Sequence, residues 1–284
     1  WLAEYYHPKK YSPATIEFVD VAGVSKGGKG NEVFQAIRQT DALVHVVRCF
    51  DNDEIFLEKA DARRDAEAFD LEMILADIEI VERRLERAKK NAKSGNKKYK
   101  RECEMCEALI EHLSDGKAAR SFNFTEEDED ILTDGGLMTV KPVIYAANLD
   151  EDGMANYSDN ANFKALSELA GEQGAAVLPV AAKFEEDIAE MDPDEAKMFM
   201  EDLGLTETGL NRLIKTSYDL LGYISFLTAG EDDVHAWTIV RGTKAPKAAG
   251  KIHTDIERGF IRAEIVAFED LKACGSMAAA KEKG

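Results

Sequence analysis

The sequence predicts a doubly wound α/β domain, interrupted by a helical hairpin and followed by a smaller α+β domain. Three observations carry this. Short apolar runs rich in Val and Ile alternate with helix-like segments; the spacing changes to three- and four-residue steps between about 56 and 132; and the composition changes again near Thr228-Ala229-Gly230.

The apolar runs are 16–23 (IEFVDVAG), 42–50 (ALVHVVRCF), 141–148 (KPVIYAAN) and 175–182 (AAVLPVAA). Continuous runs of this kind suit parallel strands buried on both faces. Asn31 to Thr40, Asn162 to Gly171 and Gly209 to Leu221 supply connecting helices, the last with Leu210, Leu213, Ile214 and Leu220 at helical spacing. Strand and helix in alternation give the α/β class.

Within the interruption, Leu71, Leu75, Ile78, Val81, Leu85 and Ala88 recur at helical steps. After the polar break Asn91–Asn96, Cys103, Cys106, Leu109, Ile110 and Leu113 do the same. Two amphipathic helices across a short turn form an antiparallel hairpin, expected over 65–90 and 97–114. Past residue 228, the segments 234–241 (VHAWTIVR) and 258–268 (RGFIRAEIVAF) alternate as strands do, with turns at Gly242-Thr243 and 247–250. Trp237 is expected to pack inward, and His253 to bond locally with Asp255 rather than to contact RNA. The boundaries that follow are 1–56 and 133–225 for the α/β domain, 57–132 for the insertion and 226–284 for the last domain.

Hydrophobic residues at 45% and charged residues at 32% describe an ordinary globular chain. No apolar run approaches the roughly 18 residues of a membrane span, and Trp1 to Tyr6 lack the basic start of a signal peptide. A cytoplasmic protein with no membrane partner is expected. Cys103 and Cys106 form a C-x-x-C, but no second pair completes a zinc site, so they read as neighbours on one buried helix face. The net charge of −19 repels nucleic acid as a whole. The hairpin turn is nevertheless basic: Lys89, Lys90, Lys93, Lys97, Lys98, Lys100 and Arg101 form a candidate surface for RNA or ribosomes, the alternative being a solvated charged turn.

Three motifs fall in order at the carboxyl ends of predicted strands, where α/β sheets bind ligands. The first is Asp20-Val21-Ala22-Gly23. In phosphate-loop nucleotide hydrolases an Asp there holds magnesium through water, and the Gly offers its N–H to the γ-phosphate. The second is Asn148-Leu149-Asp150-Glu151. GTPases carry N-K-x-D at this place, and its Asp accepts two hydrogen bonds from guanine; adenine has no 2-amino group, and its N1 is an acceptor. Glu151 adds a methylene and Leu149 replaces the lysine, so guanine preference is weakened or lost. The third, Ala181-Ala182-Lys183, occupies the place of a base-binding S-A-K loop without its serine. Val24 stands where Ras-like enzymes place a water-orienting Gln, so no catalytic residue is assigned and slow turnover is expected.

These motifs, with FVDVAG, DALVHVVRCFDNDEI and above all FLTAGEDDVHAWTIVRGTKAPKAAGKIHTDIERGFIRAE, resemble the YchF-type Obg-like ATPases over nearly the whole chain. The resemblance implies a Ras-like P-loop NTPase domain, an inserted coiled-coil hairpin and a β-grasp TGS domain. It also implies ATP preferred over GTP, Mg2+, slow hydrolysis and association with ribosomes; a monomer that acts as a nucleotide-dependent switch is expected. By residue, Asp20 and Gly23 serve metal and γ-phosphate, while Asn148, Leu149 and Glu151 border adenine beside Ala181, Ala182 and Lys183. The sequence departs from the family in several places. The G-x-x-x-x-G-K-S phosphate loop and the switch threonine precede Trp1 in the family's order. The loop after Gly23 is shorter, no histidine follows Asp53-Glu54-Ile55, and Gly284 stands before the last TGS strand. For the literal sequence, the alternative is a nucleotide-independent module that binds RNA or protein.

Overall fold

The computed structural model describes residues 1–21, 30–55, 57–93, 95–128, 136–202 and 205–284. The chain opens with α1 (Leu2–Tyr6) and β1 (Lys10–Ser12), then α2 (Gly30–Arg38), β2 (Leu43–Arg48), α3 (Ala62–Ala92) and α4 (Lys97–Ser114). Next come β3 (Val143–Asn148), α5 (Glu151–Ala155), α6 (Ala161–Gln173), β4 (Ala176–Val180), α7 (Ala182–Glu190), α8 (Pro193–Asp202) and α9 (Gly209–Leu220). The chain closes with β5 (Tyr223–Ala229), β6 (Asp233–Val240) and four short helices, α10 (Ala245–Gly250), α11 (Thr254–Arg258), α12 (Phe268–Cys274) and α13 (Met277–Lys283). Two compact units result: Ile16–Leu221, and Trp1–Thr15 with Gly222–Gly284.

In the larger unit, β2, β3 and β4 form a parallel sheet in that order, with Val143 opposite Leu43 and Ile144 opposite Ala176. Five of the six residues of β3 are buried, as its unbroken apolar run requires. Leu166, Leu169 and Ala170 of α6, Phe184 and Ile188 of α7, and Ala62 and Ala66 of α3 complete this core. The run 16–23 differs from expectation. Residues 16–21 form no strand, Phe18 and Val19 are 44% and 56% exposed, and only Val21 reaches a core cluster. Apolar sequence makes a strand only where a neighbouring edge takes up its backbone hydrogen bonds, and no described strand pairs with this run.

The hairpin is present, and its helices are capped as their sequences direct. Asp61 accepts from Arg64 N at the start of α3, and Asn96 accepts from Lys98 N at the start of α4. Leu109, Leu113, Met105 and Cys106 of α4 pack with Ile74 and Val81 of α3, and Arg84 meets Glu102 at 2.8 Å across the pair. Cys106 is buried, whereas Cys103 is only partly so. The buried stripe of α3 is rotated from the predicted one: Leu71 and Leu75 are 50% and 55% exposed, while Asp70 and Asp77 are buried. The physical cause is pairing. Asp77 accepts from Met138 N, Thr139 N and Thr139 Oγ1 at 2.7–2.9 Å, which satisfies a carboxylate that burial alone would exclude.

In the smaller unit, β6 lies between β1, parallel to it, and β5, antiparallel to it. Residues 1–15, expected in the α/β domain, therefore belong here: Leu2 packs with Val234 and Leu271, and Tyr11 pairs with Val234. The segment 258–268 forms no strand; Ile261 and Ile265 are 91% and 90% exposed. Trp237 is only partly buried. Its odd spacing from Val234 turns it to the other face of β6, where it stacks on His235 at 3.7 Å and donates to Thr228 Oγ1. His253 caps α11 by accepting from Asp255 N, the local arrangement expected of it.

Candidate functional site

The carboxyl ends of β3 and β4 bring two of the predicted motifs together. Asn148 closes β3, and its Oδ1 accepts a hydrogen bond from Ala182 N at 3.1 Å, fastening the loop after β3 to the start of α7. Leu149 N donates to Val180 O at 2.8 Å, a second tie between the loops. Asp150 caps α5 by accepting from Gly153 N at 2.9 Å, and a Cβ at position 153 would collide with that carboxylate. Glu151 then stands exposed in the first turn of α5.

Two of the remaining residues of these motifs are structural. Leu149 is 3% exposed within the sheet's core, and Ala181 is likewise 3% exposed. Leu149 therefore departs from its expected place beside a base: an apolar side chain next to this core gains more by burial than by facing solvent. That leaves Asn148, Glu151, Ala182 and the loop backbone to meet a ligand. Lys183 is exposed and pairs with Glu186 at 3.1 Å and Asp187 at 2.9 Å. The hydrogen bonds it donates to Asp187 and Glu186 push its pKa up to about 12, so it stays cationic. Asp20 is exposed in the irregular segment before residue 22, and Gly23 and Val24 lie outside the described residues.

All seven basic residues of the hairpin turn are exposed. Lys89 is tied to Glu107 at 2.8 Å and Arg101 to Asp128 at 3.2 Å. Among the described residues, Lys90, Lys93, Lys97 and Lys100 have no ion-pair partner.

The profile of the YchF-GTPase_C family, described as "Protein of unknown function (DUF933)", matches residues 223–284. Over its full length the chain is 48% identical to "Ribosome-binding ATPase YchF" of Bacillus subtilis (strain 168), spanning 79% of that protein. It is 37% identical to "Obg-like ATPase 1" of Oryza sativa subsp. japonica, spanning 74% of it. The chain belongs to the YchF-type Obg-like ATPases. Among solved structures, the Schizosaccharomyces pombe YchF GTPase superposes with a TM-score of 0.88 at 32% identity, with all of this chain and 79% of that one covered. The fold is thus the Ras-like YchF fold, and β2-β3-β4 is part of its parallel sheet.

Sequence reasoning missed one constellation in this YchF-type chain. Asp70 of α3, Arg120 just beyond α4, Tyr145 of β3 and Gln173 of α6 meet in one buried cluster. The available signal was the placement of Asp70 and Asp77, seven residues apart and so on one face of a helix whose neighbours are apolar. His45 of β2 lies beside this cluster, between the rings of Phe69 and Tyr145, and burial lowers its pKa and keeps it neutral.

Proposed function

We propose that the protein binds ATP in preference to GTP at the edge formed by 148–151 and 181–183. It hydrolyses ATP slowly and acts in the cytoplasm as a monomeric nucleotide-dependent switch on ribosomes or structured RNA. The observation that carries this is the pairing of the two loops through Asn148 and Ala182, with Glu151 exposed beside them. A carboxylate one methylene too long for guanine, on a loop fixed by its neighbour, suits a base that makes no demand on it. The relatives' printed names, ribosome-binding ATPase and Obg-like ATPase, support the same activity and partner.

Asp20 is the one expected metal ligand. No group of three or more His, Cys, Asp or Glu that could hold an ion occurs among the described residues. That fits Mg2+, which keeps several waters and takes most other ligands from phosphates. When bound, Mg2+ supplies charge neutralisation at the phosphates. The protein's own residues orient the base.

A nucleotide-independent binding module is the second reading. It is favoured by the exposure of Asp20 in a segment that joins no strand. Competition titration of the protein with ATP and GTP separates the two. Tighter ATP binding is expected; a GTP preference overturns the reading of the base loop, and failure to bind either nucleotide favours the module.

A further inference from the structure

We propose that Asp70, Arg120, Tyr145 and Gln173 form a two-position joint at the foot of the hairpin, which relays nucleotide occupancy at the end of β3 to the basic tip. The proposal rests on the nucleotide-binding reading of 148–151.

The cluster is crowded on one side and empty on the other. Asp70 Oδ2 accepts from Tyr145 Oη at 2.9 Å, Gln173 Nε2 at 3.0 Å and Arg120 Nη2 at 3.4 Å. Among the described residues, Asp70 Oδ1 accepts nothing and Arg120 Nε donates to nothing, although both atoms are buried. The two side chains are only 6% and 9% exposed. Buried polar atoms without partners are rare and call for a cause.

The two orphans are complementary. Nε and Nη2 form the side-on fork of a guanidinium, and the two oxygens of a carboxylate match it. One limb exists as the long Nη2–Oδ2 contact; closing Nε onto Oδ1 supplies the other and satisfies both orphans at once. Arg120 Nη1 remains on Lys141 O at 3.1 Å. A cavity of about 390 Å³, lined by Glu67, Asp70, Leu71, Arg120, Leu169 and Gln173 among others, flanks the pair and leaves room for that shift. The observed arrangement is therefore the half-engaged position of a pair that has a fully engaged one.

Closing the fork moves a lever. Asp77, seven residues further along α3, is fully buried and its carboxylate bonded to Met138 and Thr139, so it acts as the fulcrum. A displacement of about 1 Å at Asp70, about 10 Å from that fulcrum, tilts α3 by about 5° and moves the tip near Lys93 by about 2 Å. The other arm is β3. Tyr145 holds the joint, and Asn148 holds the base loop about 10 Å further along the same strand. Burial and the nearby Asp70 raise the Tyr145 pKa, so its hydroxyl stays a donor throughout. Whatever shifts the end of β3 shifts the donor on Asp70, and by reciprocity engagement of the tip biases nucleotide affinity.

The test uses the full chain with spin labels replacing Lys93 and Lys164, and reads the distance between them with and without ATP. ATP is expected to move the mean distance by about 2 Å. In Arg120→Lys, an ammonium cannot span both carboxylate oxygens, so the shift is lost while the Kd for ATP stays within about threefold. Asp70→Asn, which removes one acceptor and keeps the shape, gives the same result and serves if the first variant does not fold. A shift of wild-type size in a folded variant that binds ATP overturns the joint. If the wild type binds no ATP, the functional reading fails on its own, and the nucleotide-free distances decide: a second distance population in the wild type that both variants lose supports the joint, and one population shared by all three overturns it.

Discussion

Glu151 sits in the first turn of α5, exposed, on a loop anchored from both sides by Asn148 and by the Asp150 cap. Because the loop is fixed, the reach of this one side chain sets what it can bond. Glu151→Asp removes a methylene and restores the geometry that accepts from guanine, so selectivity should move toward GTP by about tenfold, the worth of one hydrogen bond to a charged group at ~1.5 kcal/mol. Competition titration reads this directly, and an unchanged ATP-to-GTP ratio would remove Glu151 from base selection. Asp77 makes a second prediction at this scale. Burial raises its pKa above the ordinary 3.8, against the opposing bonds from Met138 and Thr139. The folded state then holds the proton more tightly than the unfolded one. The stability this contributes is fully present below about pH 3.8 and is lost as pH rises through the raised folded value. Relative to Asp77→Asn, which does not titrate, the wild type should gain stability on acidification from neutral pH, as read by urea unfolding at several pH values. A difference that does not vary with pH would mean that this carboxyl titrates as it does in the unfolded chain.

At the scale of elements, the hairpin is held by α4's buried face, and Leu109 is its centre at 0% exposure. Leu109→Ala should cost about 2–5 kcal/mol, the range for emptying a packed leucine site. Chemical denaturation measures it, and a loss under about 1 kcal/mol would mean the helices repack around the gap. The hairpin was legible in the sequence because its apolar residues recur at 3.6-residue spacing on both sides of a polar break. β3 was legible because a strand buried on both faces needs no polar alternation to be seen; β2 and β4 showed the same apolar runs, although only Val47 and Pro179 of them are buried and Val46 is 62% exposed. What was not legible depended on partners distant in the chain. Residues 16–21 look like a strand but pair with none, and Ile261 and Ile265 alternate like strand residues yet stay exposed. Leu71 and Leu75 lost the inward face of α3 to Asp70 and Asp77, whose partners lie some 50 to 100 residues later. In the candidate site, Asn148 and Glu151 could be picked out by motif. The capping role of Asp150 and the burial of Leu149 came only from the packed loop.

For the whole molecule, the deciding contrast is a net charge of −19 against a basic hairpin turn. Long-range repulsion opposes approach to RNA, but screening beyond about 10 Å at 0.1 M salt leaves a local patch free to act. Lys89 and Arg101 are committed to Glu107 and Asp128, so the phosphate contacts fall to the remaining lysines of the turn. Each engaged phosphate releases counterions, giving a log–log salt slope of roughly −0.7 to −0.9 per contact. Replacing Lys93, Lys97 and Lys98 together by Glu removes three such contacts and should make the slope shallower by about 2 to 3. Binding to ribosomes should weaken by about tenfold or more at low salt, while ATP hydrolysis is unchanged because these residues lie outside the base loops. Co-sedimentation with ribosomes at two salt concentrations, beside a phosphate-release assay, reads both quantities. An unaltered slope with unaltered pelleting would leave the turn a solvated end of the hairpin and move ribosome contact to another surface.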